Sequence, residues 1–398
     1  MKKLTIDDLE LTKKKVLVRV DFNVPLDKNG SVMDDTRIQA CLPTIKKILK
    51  SQGKVILMSH LGRPKGRRSP DLSLRPCAER LSQLLGRTVG FVGDCIGAEV
   101  KAAISELQPG ECLLLENLRF HPGEERNDPA FARALADLGD IFVNDAFGAA
   151  HRSHASNVGI TNYVNFSAAG YLMQKELEYL TLAVVNPARP FVTILGGAKV
   201  SDKLGIIENL FDKCDALLVG GGMAFTFVKA AGGKIGGSLL EESKLDYCKS
   251  LLEKSKADNL RIVLAVDAVI PQNGADGQTQ IVPIDSIPDA KKGLDIGPQT
   301  SKLFNREIER AKTILWNGPL GMFEKEAYSS GTFEAARKVA QATQNGAVSI
   351  IGGGDTAAAV MKAGVADKMS HVSTGGGAAL EFLAGNSLPG VEALTDKA

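Results

Sequence analysis

Asp21-Phe22-Asn23 directly follows the apolar run Val16–Val20, so two polar side chains fall where a strand would enter its loop. The pattern recurs. Val55–Met58 runs into Ser59-His60-Leu61-Gly62-Arg63-Pro64, and Cys112–Leu115 runs into Glu116-Asn117-Leu118-Arg119-Phe120. Ile141–Val143 runs into Asn144-Asp145, with His151-Arg152-Ser153-His154 a few residues on. A single arginine in such a loop is ordinary surface. Repetition over four strands instead brings basic and polar groups to the same edge of a parallel sheet. Arginine forks match planar carboxylate and phosphate groups, so these residues point to a pocket for a small anion. Twelve of the 17 arginines lie at or before Arg152, which assigns that pocket to the first half of the chain. His151 and His154, spaced i and i+3 without a neighbouring cysteine or acid, are expected to hydrogen-bond rather than to ligate metal.

The second half carries a different set of residues. Val348–Ile351 leads into Gly352-Gly353-Gly354-Asp355-Thr356-Ala357 and then a helical stretch. Free backbone amides at such a helix start bind phosphate, and Asp355 could hold Mg²⁺. The alternative is that Asp355 is simply the N-cap of an ordinary helix. Ser373-Thr374-Gly375-Gly376-Gly377 offers a second glycine turn, and Gly196-Gly197-Ala198-Lys199-Val200-Ser201-Asp202-Lys203 adds two lysines. On a helix, Lys199 and Lys203 would share a face. None of this is a common nucleotide signature. The chain has no Gly-x-x-x-x-Gly-Lys-Ser/Thr loop, no Gly-x-Gly-x-x-Gly turn and no His-Arg-Asp catalytic loop.

The elements that must position these groups are short, continuously apolar runs alternating with amphipathic stretches. Besides the four runs above, Phe191–Leu195, Ala216–Val219, Ile262–Val266, Thr313–Trp316 and Val348–Ile351 read as strands. Arg37–Leu49, Pro129–Leu138, Lys203–Leu210 and Gly331–Ala342 read as helices. Continuous rather than alternating hydrophobicity suits parallel strands covered on both faces, so the pattern predicts open α/β sheets. Ligands bind such sheets beyond the carboxyl ends of the strands. With 398 residues, two domains are expected at roughly 100–200 residues each. The helical stretch Ala169–Val185, ending at Asn186-Pro187, is the natural boundary.

Composition removes other classes. The net charge is only +2, aromatic residues make up 5% with one Trp, and no interleaved basic–aromatic pattern exists, which argues against nucleic acid as partner. No apolar run of about 18 residues occurs, so no membrane span is expected. Asp7, Asp8 and Glu10 follow the opening Met-Lys-Lys where a signal sequence would be apolar. Six singly spaced cysteines suggest buried thiols in a reducing compartment, and with no targeting segment read at the start a cytoplasmic protein is expected. An NAD-dependent oxidoreductase shares the sheet architecture but lacks its glycine fingerprint here.

Taken in order, Val20–Pro25, Asp35–Ile38, His60–Gly66, Leu115–Phe120, Leu195–Lys203, Val219–Phe227, Trp316–Pro319, Gly352–Thr356 and Ser373–Gly377 resemble the phosphoglycerate kinase family along essentially the whole chain. That resemblance implies two Rossmann-like three-layer lobes with parallel sheets. The first is residues 1–170 with 376–398 returning to it, 171–185 is an interdomain helix, and 186–375 is the nucleotide lobe. It implies reversible phosphoryl transfer between 1,3-bisphosphoglycerate and ADP, giving 3-phosphoglycerate and MgATP, in a monomer that closes about a hinge. Carried across, Asp21, Phe22, Asn23, Arg37, His60, Leu61, Gly62, Arg63, Arg119 and Arg152 look like the phosphoglycerate site. Gly197, Ala198, Lys199, Lys203, Gly222, Asn317, Pro319, Glu324, Gly353, Gly354, Asp355 and Thr356 look like the nucleotide site, with Asp355 toward the metal. Arg37, Lys203 and the amides of Gly375, Gly376 and Gly377 would stabilise the migrating phosphoryl group.

Overall fold

A computed structural model describes residues 3–257, 260–272 and 278–397. The chain divides into two compact units, one up to Glu178 joined by the segment from Ser387 onward, the other from Tyr179 to Asn386. The helix Tyr171–Val185 contributes to both.

In the first unit, six strands form a sheet in the order Gly90–Phe91, Cys112–Leu114, Lys54–Met58, Lys15–Arg19, Ile141–Asn144, Ser167–Ala169. Every pairing is parallel, with Val16 opposite both Val55 and Ile141. Alternate residues of each strand feed two separate cores. Val16, Val18, Val55 and Leu57 pack with Ile38, Cys41, Ile45 and Leu81 on one face. Leu17, Ile56 and Met58 pack with Val100, Ile104, Phe131 and Leu135 on the other. This explains the unbroken apolar runs, because a strand covered by helices on both faces has no wet side. The helix Thr36–Lys50 buries Ile38, Cys41, Ile45, Ile48 and Leu49 at helical spacing, which leaves Arg37 in its first turn beside the strand ends. The C-terminal segment packs on this unit: Leu4 N–H donates to Thr395 O at 2.8 Å, and Asn144 Nδ2 donates to Gly390 O at 3.2 Å.

The second unit has its own six-stranded parallel sheet, ordered Arg261–Leu264, Ala216–Val219, Phe191–Leu195, Thr313–Asn317, Val348–Gly352, His371–Val372. A three-stranded antiparallel sheet of Thr279–Pro283, Asp267–Pro271 and Asp295–Ile296 adjoins it in sequence and has no counterpart in the sequence reading. The helix Gly377–Leu383 belongs to this unit, where Asn209 Nδ2 donates to Leu383 O at 2.8 Å. Among the described residues, no helix is long and apolar enough to cross a membrane.

Candidate functional site

The four strand ends of the first unit do converge. Asp21, 5% exposed, accepts a hydrogen bond from Arg37 Nη1 at 2.9 Å. The loops are locked to each other through backbone groups: Phe22 N–H donates to Ser59 Oγ at 2.8 Å, Gly62 N–H to Asn23 Oδ1 at 2.9 Å, and Asn117 Nδ2 to Leu61 O at 2.7 Å. Arg119, 3% exposed, donates from Nη1 to Gly62 O at 2.7 Å, and burial brings its guanidinium down to about 10. Arg152 is half-buried and donates from Nε to His151 Nε2 at 3.2 Å. His60 lies at the centre. Its pKa is held well below the ordinary histidine value by burial and by the positive charges of Arg19, Arg119, Arg37 and Arg152. Arg63 stands apart, exposed and outside that set.

Arg19 escaped the sequence reading. It is 1% exposed at the C-terminal end of the strand Lys15–Arg19, and its Nε donates to Ser156 Oγ at 2.9 Å while Nη2 meets His60 Nδ1 at 3.0 Å. Ser156 in turn gives its hydroxyl to the fully buried Glu124 at 2.6 Å. His154 Nδ1 approaches the same carboxylate at 3.8 Å. The available signal was one charged residue inside the otherwise apolar run Val16–Val20, which a parallel sheet admits only when the charge is partnered.

In the second unit, a cavity of about 270 Å³ is lined by Gly197, Ala198, Gly222, Pro319, Glu324 and Asp355 among the expected residues. Phe225, Leu239, Ile284, Leu294, Ile296 and Met322 complete it with an apolar wall that sequence reasoning did not assemble. The backbones of three loops touch at its floor. A Cβ on Gly318, which has φ +97°, would lie 2.3 Å from Gly196 C, so only glycine fits. Beside it, Lys203 Nζ donates to Asn317 Oδ1. Burial lowers the Lys203 pKa, opposed by the carboxylates of Asp202 and Asp355. Asn317 is 1% exposed, yet among the described residues its Nδ2 has no hydrogen-bond partner, and it faces Gly353. An orphaned donor of this kind marks a place where a ligand acceptor belongs.

One expectation needs correction, and one alternative falls away. Lys199 and Lys203 share no helical face, because Lys199 is exposed irregular chain and the first helical turn spans Ser201–Lys203. Asp355 is not an N-cap. Gly353, at φ +87°, caps the helix Gly354–Lys362, and Asp355 sits exposed in its first turn without a capping bond. Thr356 is spent structurally, its Oγ1 accepting from Gly318 N–H at 2.7 Å. Gly376, at φ +50°, opens the helix Gly377–Leu383, with Gly375 N–H bonded to Ser373 Oγ at 3.1 Å.

A family model described as phosphoglycerate kinase matches residues 6–386. The chain belongs to the phosphoglycerate kinase family. It is 55% identical over 397 residues to the phosphoglycerate kinase of Prosthecochloris aestuarii, covering 100% of both chains. It is 54% identical to that of Synechococcus elongatus, covering 99% of this chain and 98% of the other. Phosphoglycerate kinase from Coxiella burnetii superposes with TM-score 0.88 at 42% identity, and that from Pyrococcus horikoshii with 0.85 at 32%, each covering 98% of both chains. The two parallel-sheet units are thus those of a phosphoglycerate kinase, and the activity is the phosphotransfer of that family. A carboxylate acceptor is already ionised at neutral pH, so phosphoglycerate kinase chemistry requires no general base. This agrees with a cluster of four arginines around one imidazole whose protonation burial and their charges oppose.

Proposed function

We propose that the first unit binds 3-phosphoglycerate or 1,3-bisphosphoglycerate through Arg37, Arg119, Arg152 and His60, and that the glycine-lined cavity of the second binds ADP or ATP. The observation that carries this is the gathering of three arginines and Arg19 around His60 at the carboxyl ends of four parallel strands. Asp21 holds Arg37 at its edge, and the half-exposed guanidinium can turn from that carboxylate to an incoming anion. The apolar wall of Phe225, Leu239 and Met322 suits a purine ring, while Asn317 Nδ2, Lys203 and the amides at Gly353–Gly354 suit its phosphates.

In the ATP-consuming direction, a carboxylate oxygen of 3-phosphoglycerate attacks the γ-phosphorus and the bond to the ADP oxygen breaks. Positioning and charge stabilisation carry such a transfer. Arg37 neutralises the acceptor side, and Lys203 the donor side. The exposed carboxylate of Asp355, uncommitted to helix capping and lining the same cavity, fits Mg²⁺, which takes hard oxygen ligands. When bound with nucleotide, the cation neutralises phosphate charge. Donor and acceptor must meet in line with water excluded, so both ligands together favour a closed form. A cytoplasmic monomer with no nucleic-acid or membrane partner is consistent with the near-neutral net charge.

Equilibrium binding of each ligand separately tests the division of labour. Arg152→Ala is expected to weaken 3-phosphoglycerate binding at least about tenfold, as loss of a charge-assisted contact should, and to leave ADP binding unchanged. Equal weakening of both ligands, or of neither, would reject it.

A further inference from the structure

Away from the arginine cluster, the first unit holds three side chains of different ligand type in one place. Asp94, Cys95 and His121 each offer one donor atom, and these atoms lie within 4.8 Å of one another. Asp94 Oδ1 is 2.7 Å from His121 Nε2. Cys95 is fully buried as a free thiol, whereas the side chains of Asp94 and His121 are 35% and 29% exposed. The site is therefore a shallow socket with sulfur at its base and oxygen and nitrogen at its mouth.

We propose that Asp94, Cys95 and His121 form a binding site for Zn²⁺, with water completing the tetrahedron from the solvent side. The donor set decides the metal: one thiolate, one imidazole and one carboxylate suit a borderline cation, not Mg²⁺ or Ca²⁺. Supports behind the donors hold them in position. The His121 ring stacks on Phe131 at 5.2 Å, Cys95 N–H donates to Asp94 Oδ1 at 2.7 Å, and Glu116 N–H donates to Asp94 O at 3.2 Å. Arg68 Nη2 sits 3.5 Å from Asp94 Oδ2, while Oδ1 faces His121 Nε2, the hydrogen bond that the metal would replace. The carboxylates of Glu124 and Glu116 also face Cys95, and negative surroundings favour a cation.

Binding balances simply. The Cys95 S–H bond breaks, a sulfur–metal bond forms, and one proton leaves to solvent. His121 gives the Nε2 lone pair to the metal, with the ring N–H then on Nδ1. Because His121 immediately follows the turn Leu118–Phe120, the ion would pin the chain two residues from Arg119.

The test uses the full-length protein, stripped with chelator and free of nucleotide, titrated with Co²⁺ as a spectroscopic stand-in for Zn²⁺. The expected result is a stoichiometric thiolate-to-cobalt absorption in the near ultraviolet that Zn²⁺ abolishes. Cys95→Ser should remove that absorption. His121→Gln, at a position 29% exposed, should weaken Co²⁺ binding by more than the roughly 10–100-fold that loss of an outer-shell partner costs. No thiolate absorption at one equivalent of Co²⁺, or equal affinity in His121→Gln and the parent chain, would overturn the site.

Discussion

Nη2 of Arg19 lies 3.0 Å from Nδ1 of His60, and both side chains are buried. A guanidinium only donates, so Nδ1 accepts and the ring proton resides on Nε2. His60 is thereby a fixed, neutral donor among cations, able to point an N–H at an anion without adding to the charge repulsion. Its Hε1 resonance is expected to stay unshifted as pH falls through the ordinary histidine range. A normal titration near the ordinary value would contradict this arrangement.

His154 makes the same argument visible in stability. Burial, followed by the charges of Arg119, Arg19 and Arg152, pushes it down from 6.5 to about 4. A depressed pKa means that the unfolded chain binds the proton more readily. The contribution of neutral His154 is complete above about 6.5 and is lost as pH falls toward 4. Replacing His154 by Gln should flatten the fall in thermal midpoint across that window.

Asp145 acts with the opposite sign. Its carboxylate accepts from Leu172 N–H at 2.9 Å and Met173 N–H at 3.2 Å, yet burial raises it from 3.8 to about 6. The protonated form suits the fold, so this contribution is complete below about 3.8 and is lost as pH rises through about 6. Asp145→Asn keeps the acceptor and removes the charge. Its stability relative to the parent should improve, on the order of 3 kcal/mol at most, between pH 4 and 7. A constant difference across that range would refute the assignment.

Arg37→Ala should lower kcat by roughly 10³, the scale of arginine clamps on phosphoryl groups. Because Asp21 then loses its partner at 2.9 Å, a smaller drop in thermal midpoint should accompany it. Arg37→Lys should restore the midpoint more fully than the rate, since an ammonium lacks the planar fork. A rate loss of less than about tenfold in Arg37→Ala would remove Arg37 from the reacting centre.

Two glycines separate architecture from ligand binding. Ala at Gly318 would clash with the Gly196 backbone at positive φ, and should cost about 3 kcal/mol or more. Ala at Gly354 meets nothing within 4 Å, so the fold should be retained while KM for ATP rises. Thermal melting and steady-state kinetics on both variants check this. Loss of folding in Gly354→Ala would show that its role is structural.

Closure has its own measurement. Solution scattering should show a smaller radius of gyration with 3-phosphoglycerate and a non-hydrolysable ATP analogue together than with either alone. An unchanged radius with both would count against the closed form.

Much of this protein is legible as one-dimensional information. Continuous apolar runs such as Val55–Met58 announce strands covered on both faces, and Gly352–Gly354 announces a strand-to-helix turn, because hydrophobic period and permitted φ are local properties. The polar groups that follow four strands share an edge as soon as the strands are parallel. Which of those groups actually meet is another matter. Strand Lys15–Arg19 lies between Lys54–Met58 and Ile141–Asn144, and only that order sets Arg19 against His60 and Ser156 while leaving Arg63 in solvent. Lys203 finds Asn317 across 114 residues of chain, and the cavity wall is assembled from Phe225, Leu239, Leu294 and Met322 by the same means. Residue type and spacing determined the elements and the kind of chemistry. Sheet order and helix packing decided the partners, because contact energies act between groups brought close in space, whatever their separation along the chain.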